Sequence, residues 1–237
     1  ACTEALRAMR LEPLAKRLPG QLSGGQQQRT ALARILAARP KILMLDEPFS
    51  ALDSYLREEV EGEVGALLAG FEGTALLVTH NRDEAYRLCR EMVVMDRGSV
   101  LRAGPTKEVF ADPRTCAAAR LTGCKNILPC TRVDAHTVRL DGWRQTLTVA
   151  LEVPEGCCAV GIRAHDFSPC APGAANSLPV QAGAISENPF DWNLICTAPG
   201  GSGQLWWKVS KTTLASPPPA VPAALSAPAG VIMPLQA

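Results

Sequence analysis

The chain has 237 residues, 47% of them hydrophobic, and a formal net charge of +1. That length predicts one or two domains with a real core, the near-neutral balance leaves no nucleic-acid footprint, and no apolar run approaches the roughly 18–20 residues of a membrane span. Nine cysteines lie scattered without a Cys-x-x-Cys pair, beside only three histidines. This argues against a zinc site and for free thiols packed as small apolar side chains in a reducing cytosol. No basic segment precedes an apolar run at the start, so no secretory signal is read. The first residue is Ala1, inside a helical pattern, and the segment is expected to be a piece of a longer protein.

Residues 3–18 carry Leu6, Met9, Leu11, Leu14 and Leu18 among charges, a helical pattern with a break at Pro13 and a turn at Pro19-Gly20. Next comes Leu22-Ser23-Gly24-Gly25-Gln26, followed by Ala31, Leu32, Ile35 and Leu36 at helical spacing. Ser23 before two glycines is a helix start. The bare amides and positive dipole end of such a start suit an anion, phosphate above all. An ordinary turn reads the same way.

Ile42-Leu43-Met44-Leu45 is a continuous apolar run, which predicts a strand buried on both faces of a parallel sheet. It ends at Asp46-Glu47, at the strand end where open α/β sheets bind ligands. A carboxylate there can hold Mg²⁺, and its neighbour can orient or deprotonate a water. The bland alternative is a solvated acidic turn. Ser54–Ala69 reads as a surface helix stopped by Gly70. Thr74–Thr79 is a second buried-strand run, ending at His80, and residues 81–90 continue as a helix.

These stretches together resemble the ATPases of ATP-binding-cassette (ABC) transporters. Leu22–Gln26 resembles their signature motif, Ile42–Asp46 the Walker B strand, Glu47 the catalytic glutamate, Ser50–Asp53 the D-loop and His80 the switch histidine. The resemblance implies ATP and Mg²⁺ as ligands. It implies that Ser23, Gly24, Gly25 and Gln26 bind the nucleotide, with Ser23 and Gly25 donating to the γ-phosphate across a dimer. It further implies that Asp46 serves the metal shell, Glu47 polarises the attacking water, His80 contacts the γ-phosphate, and Asp53 couples two sites. Implied partners are a second nucleotide-binding subunit in a homodimer, membrane permease subunits and, indirectly, a solute-binding protein, with no nucleic acid. The implied location is the cytoplasmic face of the membrane, as a peripheral subunit. Asn81 stands where many relatives have Asp. The sequence contains no Gly-x4-Gly-Lys-Ser/Thr (Walker A), so this polypeptide alone is expected to show no appreciable ATPase activity.

Met92–Met95 and Val100-Leu101 flank Asp96-Arg97-Gly98-Ser99 as a hairpin, with short helices over residues 107–111 and 114–122. The composition then changes near Gly123. Short β-rich runs at 131–133, 137–140, 146–150, 159–162, 182–186, 194–197, 205–209 and 231–234 predict a small all-β barrel or sandwich. Pro217-Pro218-Pro219 reads as a stiff loop.

The expected fold is therefore α/β, a partial P-loop NTPase core of ABC type over 1–122. An all-β OB-like (TOBE/MOP-like) domain follows over 123–237. Gly161–Asp166 resembles the accessory domain of importer ATPases of the sulfate and molybdate branch. Arg163 and His165 read either as regulatory anion ligands or as partners of Asp166 or Asp191, or face water. Trp206-Trp207 reads as packing and rim rather than as a ligand cage. The function implied is coupling of ATP hydrolysis to uptake of an oxyanion such as molybdate or sulfate. Two alternatives stand beside it. One is a non-catalytic remnant whose β-domain senses an anion. The other is a signature-bearing ATPase of chromosome maintenance, against which the neutral charge and the β-domain argue.

Overall fold

A computed structural model describes residues 2–38, 40–50, 52–200, 203–213 and 220–237. The triple-proline segment and Ala51 of the expected D-loop lie outside the described residues. The chain divides into two compact units, Ala1–Arg90 and Glu91–Ala237. The composition change near residue 123 therefore falls inside the second unit.

The first unit opens with α1 (Cys2–Ala8), a 3-10 turn at Glu12–Leu14 where Pro13 was expected to break the helix, and a second at Pro19–Gln21. Then follow α2 (Gly24–Ala37), β1 (Ile42–Asp46), α3 (Ser54–Ala69), β2 (Thr74–Val78) and α4 (Arg82–Leu88). β1 and β2 are parallel and in register from Ile42↔Thr74 to Asp46↔Val78. The crossover between them is α3, as parallel pairing requires.

The sheet's inner face, Leu43 and Leu45, joins Met9, Leu11, Leu32, Phe49, Leu52, Val60 and Val64 in one core. The expectation of strands buried on both faces is corrected here. Ile42 and Met44 are 65% and 68% exposed, and Leu76 and Val78 on the same face are half exposed. The reason is that among the described residues the sheet has two strands and a covering layer on one side only.

The second unit begins with the hairpin β3 (Glu91–Asp96) and β4 (Ser99–Pro105), whose inner Val94 packs on Val109 of α5 (Thr106–Ala111) and Ala118 of α6 (Cys116–Leu121). Arg97 and Gly98 at the turn both have positive φ, the backbone that a tight hairpin demands. An antiparallel sheet then takes the order β15-β8-β5-β6-β7. Its strands are β5 (Asn126–Asp134), β6 (Thr137–Leu140), β7 (Thr146–Thr148), β8 (Ala159–Ile162) and β15 (Met233–Leu235).

Two three-stranded sheets complete the unit. One orders β11 (Gln181–Glu187), β12 (Asp191–Thr197) and β13 (Gln204–Ser210). The other orders β10 (Ser177–Pro179), β14 (Ala224–Ser226) and β9 (Ser168–Pro169). The alternating inward residues of β12 and β13 (Leu194, Cys196, Leu205, Trp207 and Val209) fill the main core with Val138, Leu140, Val160 and Ile162.

Asn126 links two of these sheets. Its Nδ2 donates to the carbonyls of Ile162 and Trp206, and its Oδ1 accepts the Trp206 N–H. Arg163 is spent on structure. Its guanidinium donates to Thr122 O at 2.8 Å and Phe110 O at 2.7 Å and lies over the Phe110 ring. Those carbonyls close the ends of α6 and α5, where helix geometry leaves acceptors unpaired. His165 is exposed and reaches Asp166 at 3.5 Å. Arg163 thus holds a structural place, through carbonyls rather than through the expected Asp166 or Asp191.

Candidate functional site

The sequence-predicted site residues all lie in the first unit. Ser23 caps α2: its Oγ accepts the Gln26 N–H at 3.4 Å, while Gln26 Oε1 accepts the Ser23 N–H at 3.0 Å. This reciprocal pair is a capping box. It fixes the start of a helix whose first amides have no intrahelical acceptor. Ser23 and Gly24 are exposed, and a Cβ built on Gly24 would meet nothing within 4 Å. The Gly24 backbone is thus open to a ligand.

β1 delivers Asp46, exposed, to the sheet's C-terminal end. Glu47 follows with φ of +47°, a left-handed backbone for a residue that carries a Cβ. Such a conformation costs roughly 1–2 kcal/mol and persists only where the surroundings enforce it. Here they do. Glu47 N–H donates to Val78 O at 2.9 Å, extending the β1–β2 ladder. Its carbonyl accepts from Gln28 Nε2 at 3.1 Å, from Ser50 Oγ at 2.9 Å and from Ser50 N–H. Gln28 thereby ties α2 to the acidic strand end.

The Glu47 side chain meets His80. Its Oε1 lies 2.7 Å from His80 Nδ1 and accepts the His80 backbone N–H at 2.9 Å. An ionised carboxylate is acceptor-only, so the Nδ1 proton sits on the shared edge and Nε2 is the imidazole atom left for a ligand. The imidazole is 81% exposed, whereas the Glu47 side chain is two-thirds buried.

His80 is shouldered on both sides by Glu84, a buried carboxylate of α4. Glu84 Oε2 accepts from Thr79 Oγ at 2.5 Å and Oε1 from Asn81 Nδ2 at 3.0 Å. Asn81 Oδ1 in turn accepts the Asp83 N–H as the cap of α4. This accounts for Asn rather than Asp at position 81, since a carboxylate could cap the helix but could not donate to Glu84.

Asp53 stands apart from these contacts as the N-cap of α3, its Oδ1 accepting the Leu56 N–H at 2.9 Å. Asp53→Ala is expected to cost about 1 kcal/mol, with Asp53→Ser near wild type. Denaturant unfolding followed by a probe in the first unit measures both. The sequence reading missed Gln28, Thr79 and Glu84. Asn81-x-x-Glu84 carries capping-box spacing, a signal that points to Glu84, whereas no spacing signal points to Gln28 or Thr79. As for Mg²⁺, the hard carboxylate oxygens of Asp46 suit it, given that this ion keeps waters and shares phosphate oxygens. Among the described residues no group of three or more His, Cys, Asp or Glu side chains is placed to hold a metal by itself.

Residues 1–50 match the family model for the ABC transporter. The chain is 42% identical over 139 residues to a spermidine/putrescine import ATP-binding protein PotA of Haemophilus ducreyi, covering 57% of this chain and 38% of that protein. It is 39% identical over 170 residues to a sulfate/thiosulfate import ATP-binding protein CysA of Bradyrhizobium diazoefficiens, covering 72% and 49%.

The chain is related to import-type ABC ATP-binding subunits.

A third such relative is an Fe(3+) ions import ATP-binding protein FbpC of Mannheimia succiniciproducens, 38% identical over 162 residues, covering 68% of this chain and 46% of that protein. The chain thus spans half or less of the length of these import ATP-binding relatives. A solved dimeric ABC transporter cassette, MJ0796, is 37% identical with a TM-score of 0.41, covering 44% of this chain and 45% of that one. The expected α/β core and the all-β part that follows it stand. Import relatives named for polyamines, sulfate and ferric iron match at similar identity, so the likeness is to import ATP-binding subunits as a class. No helix among the described residues is long and apolar enough to cross a membrane.

Proposed function

We propose that this chain is part of the ATP-binding and ATP-hydrolysing subunit of an ABC import system, with residues 1–122 belonging to its nucleotide-binding domain and 123–237 to a TOBE-like accessory domain. The observation that carries this reading is the Glu47–His80 contact at the end of the β1–β2 sheet, on a backbone held in a strained conformation. Asp46 would serve the shell of a bound magnesium ion, which would supply charge neutralisation at the phosphates. Glu47 orients and polarises the attacking water. His80 presents Nε2 to a γ-phosphate oxygen while Nδ1 stays on Glu47. The capped start of α2, with Ser23, Gly24, Gly25 and Gln26, offers amides to a phosphate held chiefly by a second cassette, and Asp53 couples the two sites. Positioning and fixed charge do most of the work in such phosphoryl transfer.

The partners are a second cassette, permease subunits and, through them, a solute-binding protein, at the cytoplasmic face of a membrane. For the solute we favour an oxyanion such as sulfate or molybdate. Among the three relatives above, the sulfate/thiosulfate one aligns over the largest share of this chain. A non-catalytic anion sensor is supported less, because Arg163 is occupied by carbonyls.

The test joins this chain to a segment carrying Gly-x4-Gly-Lys-Ser/Thr and measures phosphate release from Mg-ATP. Residues 1–237 alone should release none above background, and the joined protein should turn over. Glu47→Gln should lower the joined protein's rate by about 10²-fold or more. Undiminished turnover in that variant refutes the assignment.

A further inference from the structure

Cys130 lies on the inward side of β5, between the exposed Pro129 and Thr131. Cys157 lies in the turn just before β8. The two sulfurs are 3.9 Å apart, and both residues are more than nine-tenths buried. Their backbones are fixed around that contact. Cys130 N–H donates to Cys158 O at 3.0 Å, Cys157 N–H to Pro154 O at 3.0 Å, and Cys158 N–H to Leu235 O at 2.9 Å. A disulfide needs a sulfur separation of about 2.05 Å, so closing the bond asks for under ~2 Å of sulfur movement, the scale of side-chain rotation.

We propose that Cys130 and Cys157 form a peroxide-responsive dithiol, a modification site that closes an internal disulfide between β5 and the turn before β8. The oxidant is hydrogen peroxide, small and uncharged enough to enter a packed interior. The Cys157 thiolate attacks one peroxide oxygen, the O–O bond breaks, and the departing hydroxide takes a proton to become water. This leaves a sulfenic acid on Cys157. The Cys130 sulfur then attacks the Cys157 sulfur, the S–O bond breaks, and the hydroxide leaves with the Cys130 proton as a second water. Two thiols have lost two electrons to one peroxide.

The roles follow from the contact. The two sulfurs lie within hydrogen-bond reach of each other, and either can donate. That hydrogen bond, with help from the backbone at Leu235 and Ala159 and from the Arg132 charge, holds the Cys157 thiol below the usual range against the opposing effect of burial. Cys130 is pushed up by the same bond and by burial. The lower-pKa sulfur is the nucleophile and its neighbour the resolving thiol. The bond would span 27 residues of sequence, from β5 across β6 and β7. It would constrain the unfolded chain over that loop.

The full chain, treated with hydrogen peroxide, blocked with an alkylating reagent and digested without reductant, is expected to show a cross-linked Cys130–Cys157 peptide pair. Dithiothreitol should abolish it, and Cys157→Ser should lack it. Oxidised wild type should also unfold at higher denaturant than the reduced form. The wild-type peptide map decides even if the variant fails to fold. Links confined to other cysteines, over-oxidation of Cys157 without a link, or Cys130 and Cys157 both remaining alkylatable after unfolding would each overturn the proposal.

Discussion

Trp207→Ala is expected to destabilise the β-rich unit by about 3–5 kcal/mol, the range for emptying a large aromatic from a packed core. Trp207 is 2% exposed on β13 and sits opposite the fully buried Leu194. Its indole Nε1–H also donates to Phe167 O at 3.1 Å. Truncation would leave a void and an orphaned carbonyl together. Domains of this size hold about 5–15 kcal/mol in all, so the variant would approach the threshold of unfolding.

The adjacent Trp206 supplies the control. Strand alternation turns it outward, where its ring lies under the Lys125 ammonium at 4.6 Å. Its sheet contacts to Asn126 run through the backbone and survive truncation. Trp206→Ala should cost about 1 kcal/mol or less, the worth of an exposed cation–π contact. Urea unfolding of both variants measures the difference. Equal losses would show that the alternation is misread.

That pair of tryptophans also shows what sequence can and cannot reveal. The pair was expected to serve packing and rim, and which residue does which follows from a period of two once β13 is in register. Elements with strong local signals emerged at nearly their observed bounds: α3 from its amphipathic stripe and Gly70, β6 and β8 from short β-branched runs. β9, β10 and β14 did not, because they are two or three residues long and formed by pairing with distant strands rather than by local preference.

The apolar run of β1 suggested burial on both sides. Composition alone does not record how many layers surround a strand, and Ile42 and Met44 are exposed. At the candidate site the residue types and their order were legible. The contacts were not, since Glu47 and His80 are 33 residues apart in sequence and meet only because β1 and β2 pair in parallel. Asp53 illustrates the converse: a residue picked out for coupling two sites already has a local task as a helix cap.

The support beneath His80 yields the second large expected effect. Glu84→Ala should destabilise the first unit by about 2–3 kcal/mol, because it leaves the Thr79 hydroxyl and the Asn81 amide without their buried acceptor. Both groups flank His80, and Asn81 also donates its backbone N–H to Thr79 Oγ at 3.0 Å, so the whole turn is cross-braced through Glu84. Glu84→Gln should cost less. Its amide oxygen still accepts from Asn81, and its NH₂ can donate to the Thr79 hydroxyl, which accepts as readily as it donates.

The local readout is hydrogen exchange at the His80 amide, which donates to Glu47. Exchange should quicken in Glu84→Ala by more than the global loss of stability explains, because the brace fails before the sheet does. If Glu84→Ala instead leaves that amide as protected as in wild type at matched stability, the carboxylate holds α4 in place but does not position the histidine.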